Sequence, residues 1–205
     1  HNFEIDVDNS YTVQNMAVHN SYGHQLRHFN AKYIDCDTDY TGKGFDQIEY
    51  ILDLIRNNPE SRRIMFSYWN PQQLNQAALP PCHNEYIFYI DVNKNEISLK
   101  FDQRSCDTFH GLPFNVVSAS VLLNMICYMT DYVPGEIYHT ISDMHIYGTH
   151  ILQCDEIVNR RPRIFPKLKI NTKGKIIKKI EDFTYEDFEL INYYPQASIK
   201  VPMVV

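Results

Sequence analysis

Cysteine is scarce in this chain, and its spacing suits neither cross-links nor a structural zinc site. The chain of 205 residues has five cysteines, an odd number. They are Cys36, Cys82, Cys106, Cys127 and Cys154, and no two form a CxxC pair. Disulfide frameworks and zinc sites depend on regularly spaced pairs. The sequence therefore predicts free thiols in a reducing, intracellular compartment such as the cytoplasm.

Several other signals are missing, and each absence excludes a class of protein. The start, HNFEIDVDNS, has no basic stretch before an apolar core, so we expect no secretory signal. No apolar run approaches the ~20 residues of a membrane helix. A net charge of −6 argues against an obligatory nucleic-acid partner. Motifs of nucleotide-binding loops and serine hydrolases, such as GxGxxG, GxxxxGK[ST] and GxSxG, do not occur.

Hydrophobic periodicity predicts a mixture of helices and mostly antiparallel strands. Four apolar residues at helical spacing (Ile48, Ile51, Leu52 and Ile55) predict a helix that Pro59 ends. Strands are predicted at 64–69, 86–92, 96–104 and 135–143, a buried core helix at 115–132, and a helical segment at 144–160. Residues 21–33 are open between strand and irregular structure, and strand-like pieces close the chain at 165–170, 175–180 and 198–205. Together these elements predict one α+β domain over residues 1–205.

Cys82 follows two prolines and precedes His83, in the stretch ALPPCHNEYI. A thiolate is a strong nucleophile where nearby cations stabilise it. A free cysteine is also one of the residue types most often buried in a core. Neighbouring side chains on a strand point to opposite faces, so His83 need not touch the sulfur. Taken alone, Cys82 is open between these two roles.

The stretch DQRSCDTFHGLPFN favours a site for a phosphorylated ligand at the end of the 96–104 strand. Arg104 offers a planar fork of donors and Ser105 a hydroxyl, which together suit a phosphate. Asn115 opens a helix, where its amide either caps the helix or pairs with a uracil edge.

Two further groups of polar residues have an ordinary interpretation and a functional one. The pair Arg62 and Arg63 is either a solvated turn or an anion clamp. His145 and Tyr147, two residues apart, form either a polar edge or a contact to a sugar hydroxyl. No set of residues at ligand spacing predicts a metal site.

Five blocks in this order resemble thymidylate synthase: SRRIMFSYWNPQQL, ALPPCH, DQRSCDTFHGLPFN, DMHIYGTHI and RPRIFPKLKI. The resemblance runs from about Tyr22 to Val205. It implies that family's fold, an α+β domain of three layers with a large mixed, mostly antiparallel sheet and flanking helices. It also implies that dUMP is methylated to dTMP with 5,10-methylenetetrahydrofolate as cosubstrate and without a metal.

By resemblance, Cys82 is the nucleophile that adds to C6 of the uracil ring. Arg104 and Ser105 bind the phosphate of dUMP, and Arg104 also favours the thiolate. The backbone at Asp107 meets the pyrimidine carbonyl, and Asn115 reads O4 and N3 of the ring.

The resemblance also assigns the remaining site residues. His145 and Tyr147 bind the ribose 3′-hydroxyl, and Tyr147 assists removal of the C5 proton. Trp69, Asn70 and Asp107 lie near the folate. Arg62 and Arg63 reach the phosphate site of the other subunit in a homodimer.

The chain departs from the family pattern at a few places. Leu26, Asn30 and His110 replace the usual Trp, Gly and Leu. Nothing before Tyr22 resembles the N-terminal phosphate loop of the family, so we expect an N-terminally incomplete synthase domain, with an upstream fusion such as dihydrofolate reductase as one arrangement. Two alternatives stay open: a catalytically silent relative that binds nucleotide or RNA, and a pyrimidine nucleotide hydroxymethylase.

Overall fold

The computed structural model describes residues 10–13, 16–19, 21–35, 37–77, 79–202 and 204. Four α-helices are present in these ranges: α1 Ser21–Arg27, α2 Gln47–Asn57, α3 Gly111–Thr130 and α4 Ile151–Asn159. The strands are β1 Ser10–Val13, β2 Met16–His19, β3 Met65–Ser67, β4 His83–Asp91, β5 Glu96–Asp107, β6 Val133–His145, β7 Lys167–Ile170 and β8 Phe188–Ile191.

A four-stranded sheet in the order β3-β4-β5-β6 forms the centre. The β3–β4 and β4–β5 pairs are antiparallel, whereas β5 and β6 run parallel. The last pair is parallel because α3 crosses over between its strands. The pairs β1–β2 and β7–β8 form two separate antiparallel ladders. The predicted α+β class, with a mixed and mostly antiparallel sheet and flanking helices, is confirmed.

Helix α2 and the β4–β5 hairpin form as the sequence predicts. Asp46 is the N-cap of α2, and its carboxylate accepts a hydrogen bond from the Glu49 N–H at 3.0 Å. The four predicted apolar positions of α2 are buried in the same hydrophobic cluster as the alternating residues Ile97, Leu99 and Phe101 of β5. This packing fixes the hydrophobic core on one face of the sheet.

Helix α3 begins earlier than predicted, at Gly111, and is less buried than a core helix. Its buried positions are Ala119, Leu123, Ile126 and Cys127, whereas Phe114 is 68% exposed. By length and composition this helix could cross a membrane, a criterion that core helices of soluble proteins also meet. The apolar residues of the 115–132 run point all round the helix, and the described residues cover one side of it.

Four other predictions of secondary structure are wrong. Residues 21–27 form α1, and the predicted helix at 144–160 begins only at Ile151, because β6 continues to His145. The segment 175–180 contains no strand. Within 198–202 and at 204 no strand is present either, whereas β8 at Phe188–Ile191 was not predicted.

Candidate active site

The sheet brings the ends of three strands to one edge. Strand β4 starts directly after Cys82, its antiparallel neighbour β5 ends at Asp107, and β6, parallel to β5, ends at His145. The Arg104 N–H donates to the Cys82 carbonyl at 2.9 Å, and Asp107 is opposite His145 in the β5–β6 register. The predicted nucleophile, phosphate-binding residues and sugar-binding residues therefore lie along this one edge.

The guanidinium of Arg104 is held by the carbonyls of the two prolines before Cys82. Its Nε donates to Pro81 O at 2.8 Å, and Nη2 donates to Pro80 O at 3.0 Å. The same Nη2 is 4.0 Å from Cys82 Sγ, and the guanidinium carbon is 5.6 Å from the centroid of the Trp69 ring. This arrangement fixes a permanent cation beside a partly exposed sulfur, the kind of surroundings in which reactive cysteines are found.

Two other cysteines in the described residues are poor nucleophiles. Burial raises the pKa of the Cys106 thiol and raises the pKa of Cys127 to about 12. Cys154 lies on α4, and Cys36 lies outside the described residues. The arginine contact therefore distinguishes Cys82 from the buried thiols.

His83 faces away from Cys82, as the alternation of a strand predicts. Its ring is buried, its Nδ1 lies 2.9 Å from the Tyr86 hydroxyl, and it stacks on Phe101 at 5.9 Å. Burial, helped by the charge of His139, lowers the pKa of His83 to about 4. The ring is therefore a neutral part of the core and not the base for the cysteine.

Tyr22 supports Cys82 from below, a contact that the sequence did not indicate. Its hydroxyl accepts a hydrogen bond from the Cys82 N–H at 2.9 Å, and its ring packs edge-on against Tyr68. Burial raises the pKa of the Tyr22 phenol, so the phenol stays neutral. Tyr22 is the first residue of the family resemblance, which was the only available signal.

The Asn115 amide is oriented by a residue that was also not predicted. Gln103 is 1% exposed, and its Nε2 donates to Asn115 Oδ1 at 3.1 Å. This contact leaves the Asn115 Nδ2 donors directed elsewhere. Gly111 lies against the same amide, and a Cβ there would come within 3.3 Å of Asn115 Oδ1. Asn115 is not an N-cap, because α3 already begins at Gly111.

The carboxylate of Asp107 shapes the turn into α3. Oδ1 accepts from the Phe109 N–H at 2.9 Å, and Oδ2 accepts from the His110 N–H at 3.3 Å. Thr108 then ties β5 to β6, since both its N–H and its hydroxyl donate to His145 O, at 2.9 and 2.8 Å. Both carboxylate oxygens of Asp107 are thus engaged in this turn.

His145 and Tyr147 pack edge to face at 5.1 Å, next to a cluster of histidines. Tyr147 contacts the ring of His150 at 5.7 Å, and His150 contacts the ring of His110 at 5.2 Å. His150 is fully buried, and its Nε2 lies 2.8 Å from Pro202 O. His110 therefore sits where the C-terminal segment approaches the site.

Arg62 and Arg63 lie apart from this edge. They precede β3, in which Met65 pairs with Ile87. Ile87 is five residues along β4 from Cys82, or about 16 Å at the usual rise of a strand. Both arginines are exposed, and within the described part of the chain neither guanidinium forms an ion pair.

Asn70 belongs to a buried network of amides. Its Nδ2 lies 3.1 Å from Gln73 Oε1 and 3.3 Å from Gln25 Oε1. Gln25 also donates to Gln73 Oε1 at 2.8 Å. This network fixes the segment from Trp69 to Gln73, and the predicted folate contact of Asn70 stays a prediction.

Among the described residues, no group of three or more His, Cys, Asp and Glu side chains could hold a metal ion. The edge brings together a thiol, an arginine and an amide, groups whose chemistry suits nucleophilic addition, phosphate binding and pairing with a base.

Comparison with known proteins decides the family. A family model described as thymidylate synthase matches residues 2–205. The chain belongs to the thymidylate synthase family. The match includes residues before Tyr22, which the resemblance in the sequence did not reach, and it confirms the family that the five blocks indicated.

Named thymidylate synthases are similar to most of this chain. The enzyme of Human herpesvirus 8 type P (isolate GK18) is 47% identical over 184 residues, which are 90% of this chain and 53% of that protein. The thymidylate synthase of Homo sapiens is 45% identical over 184 residues, 90% of this chain and 57% of that protein. A putative bifunctional dihydrofolate reductase-thymidylate synthase of Oryza sativa subsp. japonica is 45% identical, and the chain covers 36% of its length.

The chain spans about half the length of the viral and human thymidylate synthases and about a third of the plant protein. None of these relatives carries the name of a hydroxymethylase or of a silent binding protein. The comparisons therefore favour neither alternative.

Proposed function

We propose that the protein containing this chain is a thymidylate synthase, which methylates dUMP to dTMP with 5,10-methylenetetrahydrofolate. The observation that carries the proposal is the Arg104 guanidinium 4.0 Å from Cys82 Sγ, anchored by two proline carbonyls. The family membership and the names of the relatives support it. The roles of the individual site residues are part of the proposal.

Cys82 starts the reaction as a thiolate beside Arg104. Its sulfur bonds to C6 of the uracil ring, and the electrons of the C5–C6 double bond move towards C5 and O4. C5 then bonds to the methylene carbon of the folate as one of its two C–N bonds opens. Loss of the C5 proton, with help from Tyr147, breaks the second C–N bond and leaves an exocyclic methylene on the ring and free tetrahydrofolate. Cleavage of the C6–S bond releases the thiolate, and hydride transfer from the folate completes the methyl group and leaves dihydrofolate.

Different residues of this edge are proposed to bind the phosphate, the ribose and the base of dUMP. Arg104 and Ser105 take the phosphate, His145 and Tyr147 the 3′-hydroxyl, and the Asp107 backbone a ring carbonyl. The amide of Asn115 pairs with O4 and N3. Because Gln103 occupies one side of Asn115 Oδ1, the outward donors of that amide suit the O4 of uracil and reject the amino group of cytosine.

A homodimer would bring Arg62 and Arg63 to the partner's phosphate. Both guanidinium groups are exposed and without an acidic partner among the described residues. The outer face of the sheet beside them carries exposed Tyr89 and Tyr138, at 68% and 55%. Packing of this sheet face against a second copy would bury both tyrosines and carry the arginines across.

The location and the domain organisation of the whole protein are also part of the proposal. Cys82 must stay reduced, which supports an intracellular location, and residues 1–205 are proposed to be one synthase domain. The names of the rice and maize relatives support a fused dihydrofolate reductase as one arrangement. The gene sequence upstream of His1 tests that arrangement.

Turnover by the full-length protein tests the enzyme. Purified protein is mixed with dUMP and methylenetetrahydrofolate, and dihydrofolate is followed by absorbance. We expect dihydrofolate and dTMP in equal amounts, no turnover by Cys82→Ser, and near-normal turnover by the matched control Cys154→Ser on α4. Binding of dUMP to Cys82→Ser should persist in a calorimetric titration. An active Cys82→Ser variant would remove the thiol from the mechanism.

The covalent complex with 5-fluoro-dUMP separates the alternatives. A synthase forms a folate-dependent adduct of 5-fluoro-dUMP on Cys82, which mass spectrometry detects. A silent relative binds dUMP without this adduct, and a hydroxymethylase accepts dCMP. Either of these results contradicts the proposal.

A further inference from the structure

We propose that Trp69 is a positioning residue, whose indole holds the guanidinium of Arg104 beside Cys82. The inference rests on the proposed function, since it assigns Trp69 a task in activating that thiol instead of only a place near the folate. Three observations carry it: the contacts of Arg104, the anchoring of Trp69, and the alternation of Tyr68 and Trp69.

The hydrogen bonds of Arg104 do not by themselves fix the tilt of its guanidinium group. The proline carbonyls take Nε and Nη2 and so fix the edge of the guanidinium. Edge contacts alone permit the group to tilt about that edge. The guanidinium carbon lies over the ring of Trp69, 5.6 Å from its centroid. A flat cation over an aromatic face is attracted by the ring and kept parallel to it.

Hydrogen bonds from Ser67 of β3, and through it from α2, hold the backbone of Trp69. The Ser67 hydroxyl accepts a hydrogen bond from the backbone N–H of Trp69 at 3.1 Å and donates one to the backbone carbonyl of Trp69 at 3.2 Å. Buried Gln47 on α2 brackets the backbone of Ser67, accepting from its N–H at 2.9 Å and donating to its carbonyl at 2.8 Å. The backbone that carries the indole is therefore held to α2 through Ser67.

The end of β3 directs two successive aromatic residues to opposite sides. Tyr68 is buried and packs on Tyr22, whose hydroxyl accepts from the Cys82 N–H. Trp69 points the other way, over Arg104. One side chain thus supports the backbone of the nucleophile, and the next supports its cation.

Removing the indole should weaken the effect of the cation on the sulfur without removing the cation. The strength of the contact sets the expected change in the reactivity of Cys82, since a partly exposed cation–π pair corresponds to roughly a fivefold change in an equilibrium. We therefore expect Trp69→Leu to slow the reaction of Cys82 with iodoacetamide at pH 7 by roughly fivefold. The pH–rate profile of this alkylation should move to higher pH, and Trp69→Phe should lie between Trp69→Leu and the original chain.

The experiment is a double-mutant cycle on the full-length protein without nucleotide or folate. Alkylation of Cys82 is measured by peptide mass spectrometry, with Cys154 in the same sample as the internal control. The variants are Trp69→Leu, Arg104→Gln and the pair. If Trp69 acts through Arg104, the Leu substitution has no further effect once Arg104 is gone. Circular dichroism checks folding, and Trp69→Phe replaces Trp69→Leu if the latter does not fold.

Three results would overturn the inference. These are a folded Trp69→Leu variant that is alkylated at the original rate, an equal effect of Trp69→Leu in the Arg104→Gln background, and an unchanged pH–rate profile. Because alkylation requires neither substrate, its outcome is independent of turnover. A protein that turns over but shows no coupling contradicts only the inference. A protein that shows coupling without turnover contradicts only the proposed function.

Discussion

The phenolic oxygen of Tyr22 accepts a hydrogen bond from the backbone N–H of Cys82 at 2.9 Å. The bond joins α1 to the residue just before β4, across sixty positions of sequence. It fixes the backbone from which the sulfur projects. The reactive group is thus held by main-chain contacts on both sides, because its carbonyl accepts from the Arg104 N–H.

Tyr22→Phe tests the importance of this bond. Loss of the hydroxyl leaves the Cys82 N–H without this acceptor, which costs about 1–2 kcal/mol in the free energy of unfolding. We expect urea denaturation to show this loss and turnover to fall with it. Tyr50→Phe on α2 is the control, and equal stabilities of Tyr22→Phe and the original chain would contradict the argument.

Gln103→Leu tests the orientation of Asn115. Without the Nε2 donor, the Asn115 amide can turn over, so it pairs less well with uracil and excludes cytosine less well. We expect dUMP affinity to fall by about tenfold, in line with the loss of one buried hydrogen bond.

The ratio of dUMP to dCMP affinity should fall in the same calorimetric titrations. The exposed Gln76→Leu substitution serves as the control. A Gln103→Leu variant that discriminates as well as the original chain would show that Gln103 does not set the amide.

Acid should destabilise the fold through His83. Its folded-state pKa of about 4 is below its ordinary value of 6.5 because of burial. The unfolded chain therefore binds the proton more tightly, and stability is lost as the pH falls from about 6.5 to about 4. The expected loss is up to ~3 kcal/mol.

Urea midpoints between pH 7 and pH 4 measure this loss. The aromatic variant His83→Phe should flatten the dependence over that range, whereas the control His28→Phe, one residue after the end of α1, should not. The same slope in His83→Phe as in the original chain would assign the acid sensitivity to another group.

Two glycines of the 42–44 turn should respond differently to alanine. Both have a positive φ, +73° at Gly42 and +70° at Gly44. A Cβ at Gly42 meets open space, whereas one at Gly44 would come within 2.6 Å of the His28 carbonyl group. Gly42→Ala should therefore cost about 1 kcal/mol of backbone strain.

Gly44→Ala should cost clearly more, because the backbone of His28 must also move. Thermal unfolding of the two variants gives the comparison directly. Equal melting temperatures would show that the α1–α2 connection adapts to the added methyl group.

Local patterns predicted the elements whose own residues carry the packing signal. The spacing of Ile48 to Ile55 predicted α2, and the alternation at Ile97, Leu99 and Phe101 predicted β5. The pattern failed where context decides: 175–180 is apolar enough for a strand but has no neighbouring strand among the described residues. Helix α1 was missed because the stretch 21–33 that contains it is rich in aromatic residues, which are common in strands.

The site also contains residues that the sequence identified and residues that it did not. The order of the five blocks identified Cys82, Arg104, Asn115, His145 and Tyr147, and the structure brings these five to one edge. The supporting contacts of Tyr22, Gln47 and Gln103 could not be predicted from the sequence. A buried amide or phenol has no periodic pattern, and its importance depends on a partner far along the chain.

Because the carbonyls of Pro80 and Pro81 hold Arg104, its position beside Cys82 does not depend on pH. A main-chain oxygen does not titrate, and a guanidinium stays charged at every pH at which a protein survives. Raising or lowering the pH therefore leaves the Arg104 guanidinium charged and held by the two carbonyls. The position of this cation is therefore set by the main chain, and no side-chain proton has to move to keep it beside the sulfur.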